Sequence, residues 1–191
     1  MEQRIKIGIS SCLLGEKVRY DGGHKLDRFL IDSFGQFVEW VPVCPEAECG
    51  LPVPREAMRL VGGPDAPHLV TKHTGVDHTE RMVAWAGKKI GSLRNEGLCG
   101  FIFKSRSPSS GLRDVEICSP SGVPAGSGIG IFARIFVNSF PTMPVEDDIR
   151  LHDPLVLESF MKKVWNMGGI EAASCNDNVL YKKRVIASIE L

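Results

Sequence analysis

Short apolar runs alternate with stretches of helical spacing along most of the chain, and Gly, Pro, Ser and Asp punctuate them. Residues 6–9 read as a short buried strand that ends in the small polar residues Ser10, Ser11 and Cys12. A helix follows over 26–33, with Gly35 as its stop, and 37–43, rich in aromatic and β-branched residues, reads as a second strand. The segment 41–56 carries Pro42, Pro45, Pro52 and Pro54, a density that predicts a rigid loop without helix. Two short strands over 58–61 and 69–72, around Gly62-Gly63-Pro64-Asp65, read as an excursion from the main sheet.

The spacing of Met82, Val83, Ala86, Ile90 and Leu93 predicts a helix over 76–95 with one buried face, capped by Thr74 or Asp77. The continuous apolar run 98–103 suits a central strand, and 115–117 another that ends at Cys118. Residues 119–130 are rich in Gly, Ser and Pro and read as a mobile loop. Helices are expected over 129–140, ended by Pro141, and from Asp148 or Asp153 to about Lys163. This strand–helix–strand alternation predicts an α/β protein whose parallel sheet is crossed by helices. The expected division is a domain over 1–164 and a tail over 165–191, with a break at Gly168-Gly169, a turn at Asn176-Asp177-Asn178 and strand character over 179–191; Cys175 in the tail has no assigned role.

Composition narrows the function classes. A chain of 191 residues with 43% hydrophobic and 24% charged residues suits one soluble domain with a sizeable core. Its 23 basic and 23 acidic residues leave no net charge, so nothing global draws it to nucleic acid or an anionic membrane. No apolar run is long enough to span a bilayer, and the N-terminus is too short and interrupted for a signal peptide. A cytoplasmic protein is expected, in which six cysteines are reduced, metal-bound or catalytic rather than paired.

The candidate chemistry sits where strands end. In open α/β sheets ligands bind outside the carboxyl ends of the strands. Cys12 follows the first strand, and the second delivers Cys44 and Glu46 to the same edge if the two are parallel. Cys44 and Cys49 are separated by four residues, a spacing found among iron–sulfur ligand runs, with Glu46 and Glu48 between them. After the central strand, residues 104–111 supply Lys104, Arg106, four hydroxyls and free backbone amides, a composition suited to an anion or a polar heterocycle. Cys99 falls at the opposite end and reads as structural. His24 reads as a capping or hydrogen-bonding group, and nothing fixes a metal geometry for His68, His73 and His78. Gly126 to Gly130 lack the spacing and preceding strand of a dinucleotide fingerprint.

Three segments, S-S-C-L-L-G-E-K-V-R-Y-D-G-G-H-K, V-C-P-E-A-E-C-G-L-P-V-P-R-E and F-K-S-R-S-P-S-S-G, together resemble the 2-thiouracil desulfurase family over about residues 5–140. The resemblance implies a Rossmann-like three-layer fold with a mostly parallel central sheet. It also implies a [4Fe–4S] cluster held by three cysteines, whose open iron takes the sulfur of a thiolated substrate. By position, Cys12 and Cys44 match two ligands, Glu46 the acid/base carboxylate and Ser107 the active-site serine. The third ligand falls at Ser110, where the family has cysteine, and Cys49 stands where the family has no thiol. The pair of changes suggests a relocated ligand, with Cys12, Cys44 and Cys49 holding the cluster and Cys118 in reserve. Ser11, Lys104, Ser109 and Ser110 are the expected substrate-binding residues. The same motifs also look like the amino-terminal domain of longer relatives that continue into a helical domain.

The implied activity is a non-redox desulfuration of a thiouracil-like small molecule. Two other readings compete with it: a small-molecule or sulfur-binding domain without a cluster, and a zinc–thiolate site at Cys12, Cys44 and Cys49.

Overall fold

The computed structural model describes residues 4–35 and 37–169. Strand β1 (Ile5–Ser10) leads through a single 3-10 turn (Ser11–Leu14) and a long loop to helix α1 (Arg28–Phe34), then to β2 (Val38–Val43) and a one-turn helix α2 (Pro45–Glu48). Strands β3 (Met58–Val61) and β4 (His68–Thr71) precede helix α3 (Thr79–Arg94) and strand β5 (Leu98–Phe103). Strands β6 (Val115–Cys118) and β7 (Pro124–Gly128), helix α4 (Ile131–Ser139), strand β8 (Val145–Asp147) and helix α5 (Pro154–Met167) complete the described chain.

Four strands form a fully parallel sheet in the order β2-β1-β5-β8. The alternation of β1 decides its faces: Ile5, Ile7 and Ile9 enter one core with Leu30 of α1 and Leu157, Phe160, Met161 and Val164 of α5. Strand β5 splits the same way. Ile102 joins that core, while Phe101 and Phe103 face the other, against Phe132 and Phe136 of α4 and Met82 and Ala86 of α3. Helices therefore cover both faces, and the fold is the expected α/β, Rossmann-like arrangement. The second core extends to Leu60, Leu69 and Ile117 of a smaller mixed sheet, β4-β3-β6-β7.

Asp27 caps α1 through the Leu30 amide (3.1 Å), and Asp153 caps α5 through the Leu155 amide (2.8 Å), each contributing about 1 kcal/mol. Helix α5 runs to Met167, past the expected end at Lys163, and Gly168 closes it. The expected turn at 176–178, the strand character over 179–191 and Cys175 lie outside the described residues.

Three local expectations change. The proline-rich segment does contain a helical turn, because Pro45 occupies its first position, where the missing amide has no helical partner to lose. The supposed loop over 119–130 contains β7, which pairs antiparallel with β6 across a turn at Gly122 (φ 86°). Strand β7, Pro-Ala-Gly-Ser-Gly, buries no apolar face, so no period-2 pattern announced it. Helix α3 starts at Thr79 rather than 76, since residues 76–78 fold back on β4 through Thr71 N–H to Val76 O (2.9 Å) and His78 N–H to Leu69 O (2.8 Å). Asp77 stands ahead of it and accepts from the Thr79 amide (2.8 Å).

Candidate functional site

Parallel register makes the site. Ser10 pairs with Val43, and Phe103 pairs with Asp147. The residues that follow, Ser11-Cys12, Cys44, Lys104 and Asp148, therefore leave the sheet on one edge. In chain order β1 passes to β2 on one side and later to β5 on the other, so the strand order reverses beside β1, where open α/β sheets leave a crevice. A cavity of about 170 Å³ fills it, lined by Cys12, Cys44, Glu46, Lys104, Ser107 and Ser110 among others.

The 3-10 turn after β1 buries Ser11 and Cys12 and ends at Gly15, whose φ of 92° only glycine adopts without strain. Cys12 is 9% exposed. Burial first, and then the neighbouring Cys44, push its thiol up to about 11, with Lys104 and Arg19 opposing. Burial also pushes Cys44 up. The Cys44 amide donates to Glu48 Oε1 (2.8 Å), which fixes the start of α2, and Lys89 of α3 pairs with the same carboxylate (2.8 Å).

Glu46 is held on both oxygens. Arg55 Nε and Nη2 donate to Oε2 at 2.8 and 2.5 Å, and Ser109 Oγ donates to Oε1 at 2.7 Å. The side chains of Arg55 and Glu46 are 6% and 14% exposed, so this is a largely desolvated, charge-assisted pair. Arg55 also reaches Val18 O (3.0 Å), and its amide donates to Tyr20 O (2.8 Å), which ties the loop after Cys12 to α2.

The 104–111 loop closes the cavity. Its start is anchored by the Lys104 amide on Ser10 Oγ (2.9 Å). Asp148 takes Lys104 Nζ (2.7 Å) on one oxygen and the Ser105 amide (2.7 Å) on the other. Its far end caps α4: Gly130 N–H donates to Gly111 O (2.8 Å) and Phe132 N–H to Ser109 O (2.8 Å). Gly130 permits this approach, for a methyl there would lie 2.7 Å from the Ser109 carbonyl. Within the loop Ser107 Oγ and Ser109 Oγ are 3.0 Å apart, and the Ser110 amide donates to Ser107 Oγ (3.2 Å). Ser110 is 5% exposed, and its hydroxyl has no hydrogen-bond partner among the described residues.

Cys12, Cys44, Glu46, Ser107, Ser11, Lys104, Ser109 and Ser110 thus stand around one cavity. Cys49 does not. It closes α2 with its sulfur on Glu46 O (3.2 Å) and packs against the core that the two sheets share. Cys118 lies on that second sheet beside Glu116, and Cys99 near Gly168 at the opposite end of β5. The histidines contribute no ligand set; His68 pairs with Asp77 (2.7 Å). Among the described residues, no three of His, Cys, Asp or Glu are arranged to hold a metal ion. A larger groove of about 900 Å³ runs beside β8 and α5, between Val145, Leu155 and Phe160, but no thiol lines it. Sequence reasoning gave no role to Arg55 or Ser10, and read Asp148 only as an alternative start of the last helix, a place that Asp153 takes. Arg55 was visible in the Pro-rich motif, and Asp148 is marked only by following an apolar strand start at a strand end.

A cluster of the kind the sequence resemblance implies needs three protein donors facing one space. The cavity presents two thiols, Cys12 and Cys44, and beside them the hydroxyl of Ser110, so one place of a three-thiolate set is taken by oxygen, a poorer donor to iron. No helix of the described residues is long and apolar enough to cross a membrane.

The family model described as 2-thiouracil desulfurase matches residues 7–148. An uncharacterized protein of Bacillus subtilis (strain 168), YbbK, is 32% identical over 111 residues, covering 54% of this chain and 71% of its own. The solved structure of TudS, a [4Fe–4S]-dependent thiouracil desulfidase, superposes with a TM-score of 0.63 at 30% identity, covering 83% of this chain and 99% of its own.

Proposed function

Since the chain belongs to the 2-thiouracil desulfurase family, we propose that it hydrolyses the carbon–sulfur bond of a thiouracil-like small molecule in the cavity at the carboxyl ends of β1, β2 and β5. The observation that carries this reading is the Glu46 carboxylate, fixed by Arg55 and Ser109 in the same cavity as two thiols.

A thiocarbonyl entering past Arg19 and Tyr20 turns its sulfur toward Cys12, Cys44 and Ser110, and its ring toward Ser107 and Lys104. Water attacks the carbon while its proton passes by Ser107 Oγ and Ser109 Oγ to Glu46, along contacts of 3.0 and 2.7 Å. The carbon–sulfur bond then breaks, and the proton returns to the departing sulfide. One water and one thiocarbonyl give one carbonyl and one hydrogen sulfide, with no net electron transfer. Lys104, steadied by Asp148, offers a donor to the ring. A [4Fe–4S] cluster held by Cys12, Cys44 and a third ligand would supply Lewis acidity toward the substrate sulfur.

The test is anaerobic reconstitution with iron and sulfide, followed by incubation with 2-thiouracil. Stoichiometric release of sulfide and uracil is expected. Tight binding of 2-thiouracil by iron-loaded protein without sulfide release would replace the enzyme with a binding domain.

A further inference from the structure

We propose that the outer face of the second sheet carries an anion site, and that its ligand is a phosphate group, either the free ion or the monoester of a small molecule. The site stands apart from the substrate cavity and does not depend on the reading above. A cavity of about 200 Å³ opens there, lined by Arg59, Lys72, Arg106, Glu116 and Cys118 among others. Strand pairing brings these residues together. Leu60 of β3 lies opposite Ile117 of β6 and both enter the shared core, so the alternate positions Arg59, Glu116 and Cys118 face the other way. Lys72 follows β4 and is drawn beside them by its amide on Ala57 O (2.8 Å). Arg106 arrives from the loop after β5 on a left-handed backbone (φ 57°), a conformation that costs energy for any residue but glycine.

Three observations point to an anion. Arg59 Nε is buried without a hydrogen-bond partner, and no other side-chain nitrogen or oxygen is so placed among the described residues. A guanidinium donor withdrawn from water and left unpaired is costly, and an oxyanion in the cavity removes that cost. Next, three cations line the cavity with one carboxylate, Glu116, which accepts from the Cys118 thiol (3.6 Å). Lys72 and Arg106 form no ion pair among the described residues. Finally, Gly122 leaves room for the guanidinium, since a methyl there would lie 2.6 Å from Arg59 Nη1. The class of ligand follows from the donors. A guanidinium fork beside an ammonium group matches the oxygens of a phosphate. The volume falls below the roughly 300–1,000 Å³ of sites for larger ligands, so it suits an oxyanion with at most a short organic arm against Val115 and Pro108. Arg106 and Pro108 stand between the two cavities, which share no other lining residue. No bond is made or broken at this site; it binds.

The experiment titrates the full chain with inorganic phosphate and with glycerol 3-phosphate by calorimetry, at constant ionic strength so that general screening stays fixed. Wild type is compared with Arg59→Met, Lys72→Met, Lys88→Met and Ser107→Ala. Wild type is expected to bind one anion per chain, and Arg59→Met and Lys72→Met to weaken it by about tenfold each, as loss of a hydrogen bond to a charged group does. Lys88→Met removes an exposed cation of α3 that has no place in the cavity, and Ser107→Ala alters the substrate cavity alone; both should keep the wild-type affinity. The bound anion should also raise the melting temperature of wild type, and the rise should vanish in Arg59→Met. Tighter binding of glycerol 3-phosphate identifies a monoester as the ligand, and equal or weaker binding identifies the free ion; either supports the site. Should Arg59→Met lack a cooperative melt, Lys72→Met, at an exposed position, decides alone. Absence of binding of either anion to wild type overturns the proposal. An equal loss in Lys88→Met reduces it to general surface charge and overturns it too, and an equal loss in Ser107→Ala moves the anion into the substrate cavity and overturns the separate site.

Discussion

The molecule contains two four-stranded sheets built on one shared core, and they use their strand ends differently. In the parallel sheet every carboxyl end opens on one edge, so Cys12, Cys44, Lys104 and Asp148 meet although they are far apart in sequence. In the second sheet β3 runs parallel to β6, but the outer strands β4 and β7 run against them, so only the two central strands end on a common edge. Its thiol, Cys118, bonds the Glu116 carboxylate (3.6 Å) and has the cations Arg59 and Lys72 nearby, with no second thiol beside it among the described residues. Reactive groups collect where backbone polarity is uniform, and a mixed sheet of the same strand number serves the core instead.

The largest effect should come from the carboxylate at the uniform edge. Glu46→Gln keeps an acceptor for Ser109 but cannot take a proton, and it leaves the Arg55 charge without its partner. Sulfide release from 2-thiouracil should fall by about 10²- to 10⁴-fold, the usual worth of a positioned base. Iron content should not change. An unaffected rate would remove Glu46 from the chemistry and break the contrast between the two sheets.

The next effect belongs to the core that both sheets share and should not discriminate between them. Phe132 is fully buried and makes ring contacts with Trp85, Phe101, Phe103 and Phe136 at centroid distances of 5.3 to 6.3 Å. Phe132→Ala should cost about 3–5 kcal/mol in denaturant unfolding, with a single transition. Two transitions would show that the sheets fold as separate units.

Asp148 offers a smaller and more local change. It accepts from Lys104 Nζ and from the Ser105 amide with separate oxygens, and its side chain is 10% exposed. Asp148→Asn keeps one acceptor and loses the charge, so stability should drop by about 1–2 kcal/mol. The KM for 2-thiouracil should rise more than kcat falls, since Lys104 is read as a donor to the ring. A change in kcat alone would make Asp148 part of the proton path.

The contrast between the sheets also separates what the sequence announced from what it hid. Isoleucines at alternate positions of β1 and the continuous apolar run of β5 marked the parallel sheet, and the small polar residues after each strand marked its active edge. The motifs with Cys44 and Ser107 were legible for the same reason: chemistry at strand ends is local in sequence. The direction of Cys49 was not, because one helical turn rotates it away from Cys44, and four prolines had argued against any helix there. Strand β7 was hidden because it has no apolar face to alternate. Arg55 and Asp148 were hidden because their meaning lies in partners nine and 44 residues away.

The smallest effect should come from Cys118, the thiol of the other sheet. It is 3% exposed, and burial first, then the Glu116 carboxylate, push it above its ordinary value of about 9. The folded state therefore holds the proton more tightly than the unfolded chain. The stability this contributes is present in full below about pH 9 and is lost as pH rises through the folded value. Cys118→Ala removes a small buried group and should cost about 1 kcal/mol near neutral pH. Part of that deficit should disappear in melting curves taken above pH 9, where wild type loses its own advantage. Iron content and sulfide release should stay at wild-type levels throughout. A loss of iron on Cys118→Ala would bring the second sheet into the site and erase the distinction between a sheet that gathers chemistry and one that supports it.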